Sequence, residues 1–556
     1  MATDRPTPHW AALAFALALL NAALTIVNIW PTPFVRLSGD VSIELMAVVA
    51  VLALAWRPVT ARRRRVARLL GAAWVVLLVG RYADMTAQSM WGRPINLYWD
   101  VPHVPSVGAM LSAVAHPALV AVVVVAVVLV PLALYLPMRW AFGRVIDATP
   151  SPRHRRVLVT LAALTALVGA VQRIGEPVPQ WPGVATPVTL VWAQQVRQVA
   201  YEMSGAGMEA LGALASIRSS FAAVKPADVL LLFVESYGAV SWERPAFAAA
   251  LTAPRADLEA AVRDTGRAVV SAYLDSPTFG GESWLAHITL LSGTEIRDGG
   301  ANLRLMAQER DTLPKAFARE GYRTVAVMPG IRGAWPQGAF YGFDSILDRN
   351  AMPYAGPSFG WWDVTDQYCL ALADAREVAP ADRRPLFLVF PTLSTHTPFT
   401  PTPPYQPDWS RMLTPTPYDQ PVLDAAWDLQ PDWLDMGPDY VRALTYAYRT
   451  FAGYLRYRAD RDLVVILVGD HQPPALVTGE GAPWHVPMHV IASRPEVLDR
   501  LVARGFTRGL APSVPVRSKM HEVVPALLEA FGDGAATGAG MPSPGPGAAA
   551  PSGSRD

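Results

Sequence analysis

The first third of this 556-residue chain is crowded with apolar segments too long and too continuous for a soluble domain to hide. Trp10 to Trp30 is an almost unbroken run of Ala, Leu and Ile, long enough as a helix to cross ~30 Å of hydrocarbon. Val41 to Trp56, Ala67 to Gly80, Pro117 to Leu136 and Val157 to Val171 follow, which predicts an α-helical membrane domain of about five spans over residues 1–175. The third and fifth are short and need flanking residues to reach the interfaces. No small-residue cleavage site follows the first run, so it reads as a span rather than a signal peptide. The whole chain is 52% hydrophobic and only 17% charged, against ~25% charged in an ordinary soluble protein.

Arginines orient these spans. Arg57, Arg62, Arg63, Arg64, Arg65 and Arg68 crowd the second connection, and Arg139, Arg144, Arg153, Arg155 and Arg156 the fourth. Basic connections stay cytoplasmic, so the N-terminus is predicted inside and everything after Arg173 outside. Trp91, Tyr98 and Trp99 in the loop before the fourth span suit the water–membrane boundary.

After Gly175 the composition changes. A linker over 176–224 contains proline-rich Pro177 to Pro187 and a predicted amphipathic helix over Leu190 to Ile217, its apolar pattern broken by Gln194, Gln195, Arg197, Gln198 and Glu202. At the far end, 532–556 is Gly, Ala, Pro and Ser, a predicted disordered tail. A net charge of +1 carries no polyanion signature and argues against nucleic acid as partner. The single cysteine, Cys369, excludes an intramolecular disulfide framework and any multi-cysteine metal site; it reads as a small apolar residue.

Residues 225–531 have soluble composition and alternate apolar runs with helical segments. Asp228 to Val234, Thr324 to Met328, Leu386 to Phe390 and Leu463 to Val468 read as buried strands, and Asp257 to Thr265 and Thr312 to Glu320 as helices. That alternation predicts an α/β external domain with a mainly parallel central sheet, in which functional residues gather beyond the carboxyl ends of the strands. The first strand runs into Glu235-Ser236, the last through Gly469 into Asp470-His471, and a third leads to Ser394-Thr395-His396. Taken singly, a strand-end Asp is a helix cap or turn former; together these side chains have the composition of a divalent metal site with a nearby acid–base group. Gly280 and Gly281 permit a tight turn before Ser283, which opens an apolar helical stretch whose N-terminus suits a phosphate or sulfate group. On that segment alone Ser283 is equally an N-cap serine or a nucleophile.

The combination resembles the alkaline phosphatase/sulfatase superfamily, and within it the membrane-anchored lipoteichoic acid synthase-like and phosphoglycerol transferase branch. The matching motifs are Val234-Glu235-Ser236, Gly469-Asp470-His471, Ser394-Thr395-His396-Thr397-Pro398-Phe399, and Gly-Gly-x-Ser at Ser283 followed by Leu291-Ser292-Gly293. The resemblance implies that Glu235, Asp470 and His471, with Ser283, hold one divalent cation, Mn²⁺ or Mg²⁺, a second metal being left open. Ser283 would attack phosphorus and form a covalent intermediate, while His396 would bind the phosphate or protonate the leaving oxygen.

Four departures matter. Relatives carry threonine where Ser283 stands, and a substrate-gripping arginine where Arg332-Gly333-Ala334-Trp335-Pro336-Gln337 offers Gln337, so that Arg332 either substitutes or phosphoglycerol specificity is lost. The position four after the nucleophile, glutamate in relatives, is His287, read here as facing the core. The Cys/Ser-x-Pro-x-Arg signature is absent after Ser283, which argues against an ordinary sulfatase. His485 and His489 are read as either substrate- or metal-reaching or structural. Trp361, Trp362, Asp363 and Asp366 are read as core packing, with an acceptor groove as the alternative.

The expected function is a metal-dependent phosphotransferase of the bacterial plasma membrane, its catalytic domain periplasmic or extracellular. It would move a phosphoglycerol- or phosphoethanolamine-like group from a lipid such as phosphatidylglycerol or phosphatidylethanolamine to a glycan, teichoic polymer or lipid acceptor. The alternatives are an anchored phosphate- or sulfate-ester hydrolase and a catalytically silent envelope protein.

Overall fold

The computed structural model describes residues 9–54, 60–174, 183–204, 211 and 217–533. The expected tail beyond Asp533 and most of the proline-rich linker lie outside the described residues. The chain divides into two compact units, one running to Ser89 and from Arg93 to Ala206, the other comprising Met90–Gly92 and the chain from Gly207.

The first unit is helical: α1 (Trp10–Thr25), α2 (Ile43–Leu54), α3 (Thr60–Trp91), α4 (Pro117–Ala148), α5 (Pro152–Ile174) and α6 (Val188–Ser204). Three segments, Arg62–Trp91, Pro117–Ala148 and Pro152–Gln172, are long and apolar enough to cross a membrane. The other two expected spans coincide with shorter apolar helices among the described residues, α1 with 16 residues and α2 with 12 up to Leu54, where the described residues break off. α1 stops at Thr25 because Ile26–Asn28 pairs antiparallel with Val35–Leu37. The third predicted span lengthens instead, since the arginine-rich segment is helical from Thr60 and α3 continues to Trp91; arginine is a good helix former, so charge alone does not end a helix. Within this unit α1 packs along α4 and α2 along α5. The predicted amphipathic helix is described over Val188–Ser204, most of its expected remainder to Ile217 lying outside the described residues, and Gln195 is buried on it, accepting from Leu97 N (2.9 Å) and donating to Ile95 O (2.7 Å).

The second unit is built on a nine-stranded mixed sheet. Its strands are β1 (Asp228–Val234), β2 (Ala268–Asp275), β3 (Arg323–Met328), β4 (Ser345–Asp348), β5 (Leu386–Pro391), β6 (Leu463–Gly469), β7 (His485–Ala492), β8 (Thr507–Arg508) and β9 (Ser518–Lys519). The order is β8-β2-β7-β6-β1-β5-β3-β4, with β9 also pairing β2. The run from β6 to β4 is parallel, and β7 and β2 add antiparallel pairs at one side.

Every residue of β1 is buried, as expected of a central strand covered on both faces. Its side chains alternate between two cores. Leu230, Leu232 and Val234 join a cluster with α7 (Thr252–Asp264), α10 (Asp366–Ala373) and α11 (Gly437–Tyr457), while Val229, Leu231 and Phe233 join one with α8 (Ser283–Ser292), α9 (Leu313–Arg319), α12 (Pro495–Ala503) and α13 (Val524–Phe531). At the strand's start the buried Asp228 carboxylate meets Arg383 at 2.5 Å and accepts from Leu386 N, which pins β5 beside β1. The adjacent parallel strands β6, β1 and β5 therefore release their carboxyl ends side by side.

Candidate metal and nucleophile site

The turn after β1 is set by backbone rather than side chains. Ser236 has φ of 55°, a left-handed conformation uncommon outside glycine, and its N–H donates to Asp470 Oδ1 at 2.8 Å. The Glu235 N–H donates to Thr392 Oγ1 at 3.1 Å, tying the end of β1 to the end of β5. Glu235, Asp470 and His471 are all buried and offer ligand atoms within 4.8 Å of one another.

Ser283 is the first residue of α8, preceded by Gly280 (φ 69°) and by Glu282 in the left-handed region (φ 58°). It is not a capping serine. Its hydroxyl donates to Glu235 Oε2 at 2.8 Å and lies 3.1 Å from His471 Nε2. His471 Nδ1–H donates to the Gln472 carbonyl at 2.7 Å, which aims Nε2 at the serine. The same carbonyl accepts from Gly280 N at 3.0 Å, so one oxygen orients the imidazole and anchors the turn that leads to Ser283. Gln472 was not singled out in the sequence, because the interaction uses its main chain. Ser276, also missed, donates to the Asp470 carbonyl at 2.5 Å.

Burial would raise the Glu235 carboxyl, but the His471 charge and hydrogen bond hold it well below the ordinary range. Asp470 goes the other way, pushed up by burial and by the neighbouring Glu235 charge. His471, though buried, is lifted to about 9 by Asp470 and Glu235. The cluster thus attracts positive charge strongly. Asp470 Oδ2 is buried without a hydrogen-bond partner, and two carboxylates with one imidazole suit a divalent cation. The residues present fit such an ion.

His396 follows β5, and its Nδ1–H donates to the Thr397 carbonyl at 2.6 Å. Asp366 fixes this loop by accepting from Leu393 N (2.7 Å) and Ser394 N (3.0 Å). Trp362 stands edge-on to the His396 ring at 5.4 Å between centroids, and Arg332 lies over Trp361 and Trp362 at 4.9 and 5.8 Å. The Arg332 guanidinium donates to Trp361 O at 2.7 Å and to Asp363 at 3.3 Å. Trp335 goes elsewhere, packing on Tyr341 at 5.5 Å in the cluster on the other face of the sheet, and Gln337 is exposed.

His485 is half-buried, its carbonyl accepting from Ala239 N at 2.9 Å. His489 is structural, held between Ser271 Oγ (2.7 Å) and Tyr237 OH (3.0 Å). Cys369 is buried, as its apolar reading required. His287 is half-buried against Phe233, with its Nε2 4.0 Å from Asp470 Oδ2.

Residues 289–494 match the Sulfatase family model, a segment holding Arg332, His396, Asp470, His471 and His485 but beginning after Ser283. No curated protein matches the chain. Similar solved structures include lipooligosaccharide phosphoethanolamine transferase A from Neisseria meningitidis (14% identity, 94% of this chain and 96% of that one, TM-score 0.46). The lipoteichoic acid synthase LtaP from Listeria monocytogenes is similar at 14% identity (60% and 80%, TM-score 0.35), as is the phosphoglycerol transferase GacH from Streptococcus pyogenes at 10% (61% and 81%, TM-score 0.34). The chain thus carries, within its α/β unit, a segment that matches the Sulfatase family, and it is similar to the sulfatase/alkaline phosphatase superfamily.

Proposed function

We propose that the chain is a membrane-anchored phosphotransferase of the bacterial envelope. It moves a phosphoglycerol- or phosphoethanolamine-like group from a lipid donor, phosphatidylglycerol or phosphatidylethanolamine, to a glycan, teichoic polymer or lipid acceptor. The observation that carries this reading is the Ser283 hydroxyl at the start of α8, hydrogen-bonded to Glu235 Oε2 at 2.8 Å and 3.1 Å from His471 Nε2.

Glu235, Asp470 and His471 would hold a divalent cation, Mn²⁺ or Mg²⁺, which lowers the pKa of a hydroxyl and offsets charge on a transferring phosphoryl group. Ser283 passes its proton to Glu235 Oε2, the carboxylate oxygen it is hydrogen-bonded to, as Oγ bonds to phosphorus and the bond to the diacylglycerol oxygen breaks, and His396 gives that oxygen its proton. In the second half an acceptor hydroxyl attacks the phosphoserine, giving its proton to His396, and Ser283 Oγ leaves, taking its proton back from Glu235. The main-chain N–H groups at the start of α8 suit the phosphate oxygens. Arg332, Gln337, Trp335 and His485 are the remaining substrate-side candidates, and the Arg332 placement over Trp361 and Trp362 favours it among them.

The anchor supports a lipid donor, since confinement to the same membrane raises effective concentration. Orientation follows from arginines at matching ends of the long helices: Arg62–Arg68 open α3, Arg139 and Arg144 fall in the last part of α4, and Arg153, Arg155 and Arg156 open α5. With those ends cytoplasmic, α5 delivers the chain to the outer side of the plasma membrane.

The test is release of diacylglycerol from fluorescent phosphatidylglycerol or phosphatidylethanolamine by the full-length protein with Mn²⁺, compared with Ser283→Ala. Release that needs Ser283 supports the proposal. Cleavage of soluble phosphate or sulfate esters but not of lipid supports an anchored hydrolase instead, and inactivity on all of them supports a silent protein.

A further inference from the structure

The two carboxylate oxygens of Asp470 are treated differently by the fold. Oδ1 accepts two main-chain hydrogen bonds, from Ser236 N at 2.8 Å and His471 N at 2.6 Å. Oδ2 is buried with no hydrogen bond, His471 Nε2 standing 3.7 Å from it. Facing it at 4.0 Å is His287 Nε2, which is also buried without a partner. A buried polar atom left unpaired costs ~1–3 kcal/mol, so two complementary ones 4.0 Å apart call for a reason.

The placement follows from the helix. His287 lies four residues after Ser283 on α8, so the two share a face one turn apart. Phe233 of β1 lies against the ring at 4.4 Å between centroids, an apolar contact that leaves the polar edge free to choose its direction. α8 thereby presents a hydroxyl and an imidazole to the same pair of strand ends.

We propose that His287 is a positioning residue for Asp470. Its Nε2–H holds Oδ2 through the lone pair that a bound cation does not use, so that the carboxylate presents one orientation to the ion. The proposal rests on the reading of Glu235, Asp470 and His471 as a metal-holding group. It replaces the core-facing reading of His287 with a defined task, linking the helix that carries Ser283 to the strand end that carries Asp470. Partners that orient a ligand in this way affect metal affinity although they never touch the ion.

The experiment is Mn²⁺ titration of the full-length protein in detergent, by competition with a fluorescent chelator, for wild type, His287→Leu and His287→Gln. Leucine keeps the bulk and removes the donor; glutamine returns an N–H near the place of Nε2. Metal-free melting midpoints of the two variants serve as the folding control, and the Co²⁺ absorption spectrum reports ligand orientation. The expected result is an affinity loss of about tenfold or more for His287→Leu, in the range such partners carry, and of no more than about threefold for His287→Gln. The Co²⁺ bands should shift only in the leucine variant. Equal affinity in all three proteins, or equal loss in both variants, overturns the role of His287 while leaving the metal site standing. Failure of the wild type to bind Mn²⁺ or Co²⁺ overturns the metal reading itself.

Discussion

Gly469 lies so close to Tyr237 that a Cβ on it would stand 1.9 Å from the Tyr237 carbonyl oxygen. This close approach lets the turn after β1 and the end of β6 interlock, with Ser236 N reaching Asp470 Oδ1 at 2.8 Å. Gly469→Ala cannot be absorbed by a side-chain rotation, because the obstructing atom is main chain. The expected cost is about 1–3 kcal/mol or more, with the two ligand-bearing turns forced apart. A thermal melt and an Mn²⁺ titration should both register the change. An alanine variant that melts and binds like wild type would mean that the two turns are not interlocked.

Asp366 controls the His396 loop from beneath. It is buried and accepts the Leu393 and Ser394 amides, and burial raises its carboxyl to about 6 despite those hydrogen bonds. Asp366→Ala strands two amides at ~1–3 kcal/mol each and frees the loop. The expected outcome is a loss of kcat with Mn²⁺ affinity nearly unchanged, since none of the metal-holding side chains is touched. Asp366→Asn, which keeps an acceptor, should lose less. Equal Mn²⁺ affinity and equal kcat in wild type and alanine variant would place His396 outside the rate-determining chemistry.

How far these features were legible in the sequence depends on which link carried them. β1, β3, β5 and β6 are continuous apolar runs, and their strand-end Glu235, His396, Asp470 and His471 could be read directly. β2 and β7 escaped because Ser271 and His489 interrupt them. The structure pairs those two residues across the strands, where Ser271 Oγ and His489 Nδ1 meet at 2.7 Å. A polar residue that is satisfied only by a distant partner looks, in sequence, like a break. In the membrane unit hydrophobicity marked the helices, but the pairing of Ile26–Asn28 with Val35–Leu37 at the end of α1 leaves no local signal. The Gln472 carbonyl was invisible because main-chain acceptors have no letter.

Chelation tests the metal assignment without mutation. Two carboxylates and an imidazole lifted to about 9 mean that cation binding must displace protons. Removing metal with EDTA should abolish turnover and lower the melting midpoint, and Mn²⁺ should restore both. Affinity should weaken as pH falls from 8 to 6, with proton release measurable in a weakly buffered titration. Full activity after exhaustive chelation would remove the cation from the proposed reaction.

His489 predicts how the fold responds to acid. Ser271 Oγ donates to Gly509 O at 2.7 Å, so it accepts from His489 Nδ1–H, and the bare Nε2 accepts from Tyr237 OH at 3.0 Å. The Tyr237 oxygen in turn accepts from Trp242 Nε1 at 2.8 Å and from Tyr448 OH at 2.7 Å, and Tyr448 accepts from Arg255 Nε at 3.1 Å. Each proton in this chain has one place to go, and an extra one on Nε2 would face a donor. Burial, with Arg255 adding to it, lowers the His489 imidazole to about 3. An unfolded histidine titrates near ~6.5, so between these values the unfolded state binds the extra proton. The contribution to stability is complete above ~6.5 and falls by about 1.4 kcal/mol per pH unit as pH drops toward 3, roughly 2 kcal/mol by pH 5. His489→Gln, which cannot titrate, should be less stable at pH 7 yet lose about 2 kcal/mol less than wild type between pH 7 and pH 5. Denaturant unfolding followed by tryptophan fluorescence at the two pH values measures that difference, and parallel losses in both proteins would show that the His489 ring is not held neutral by this network.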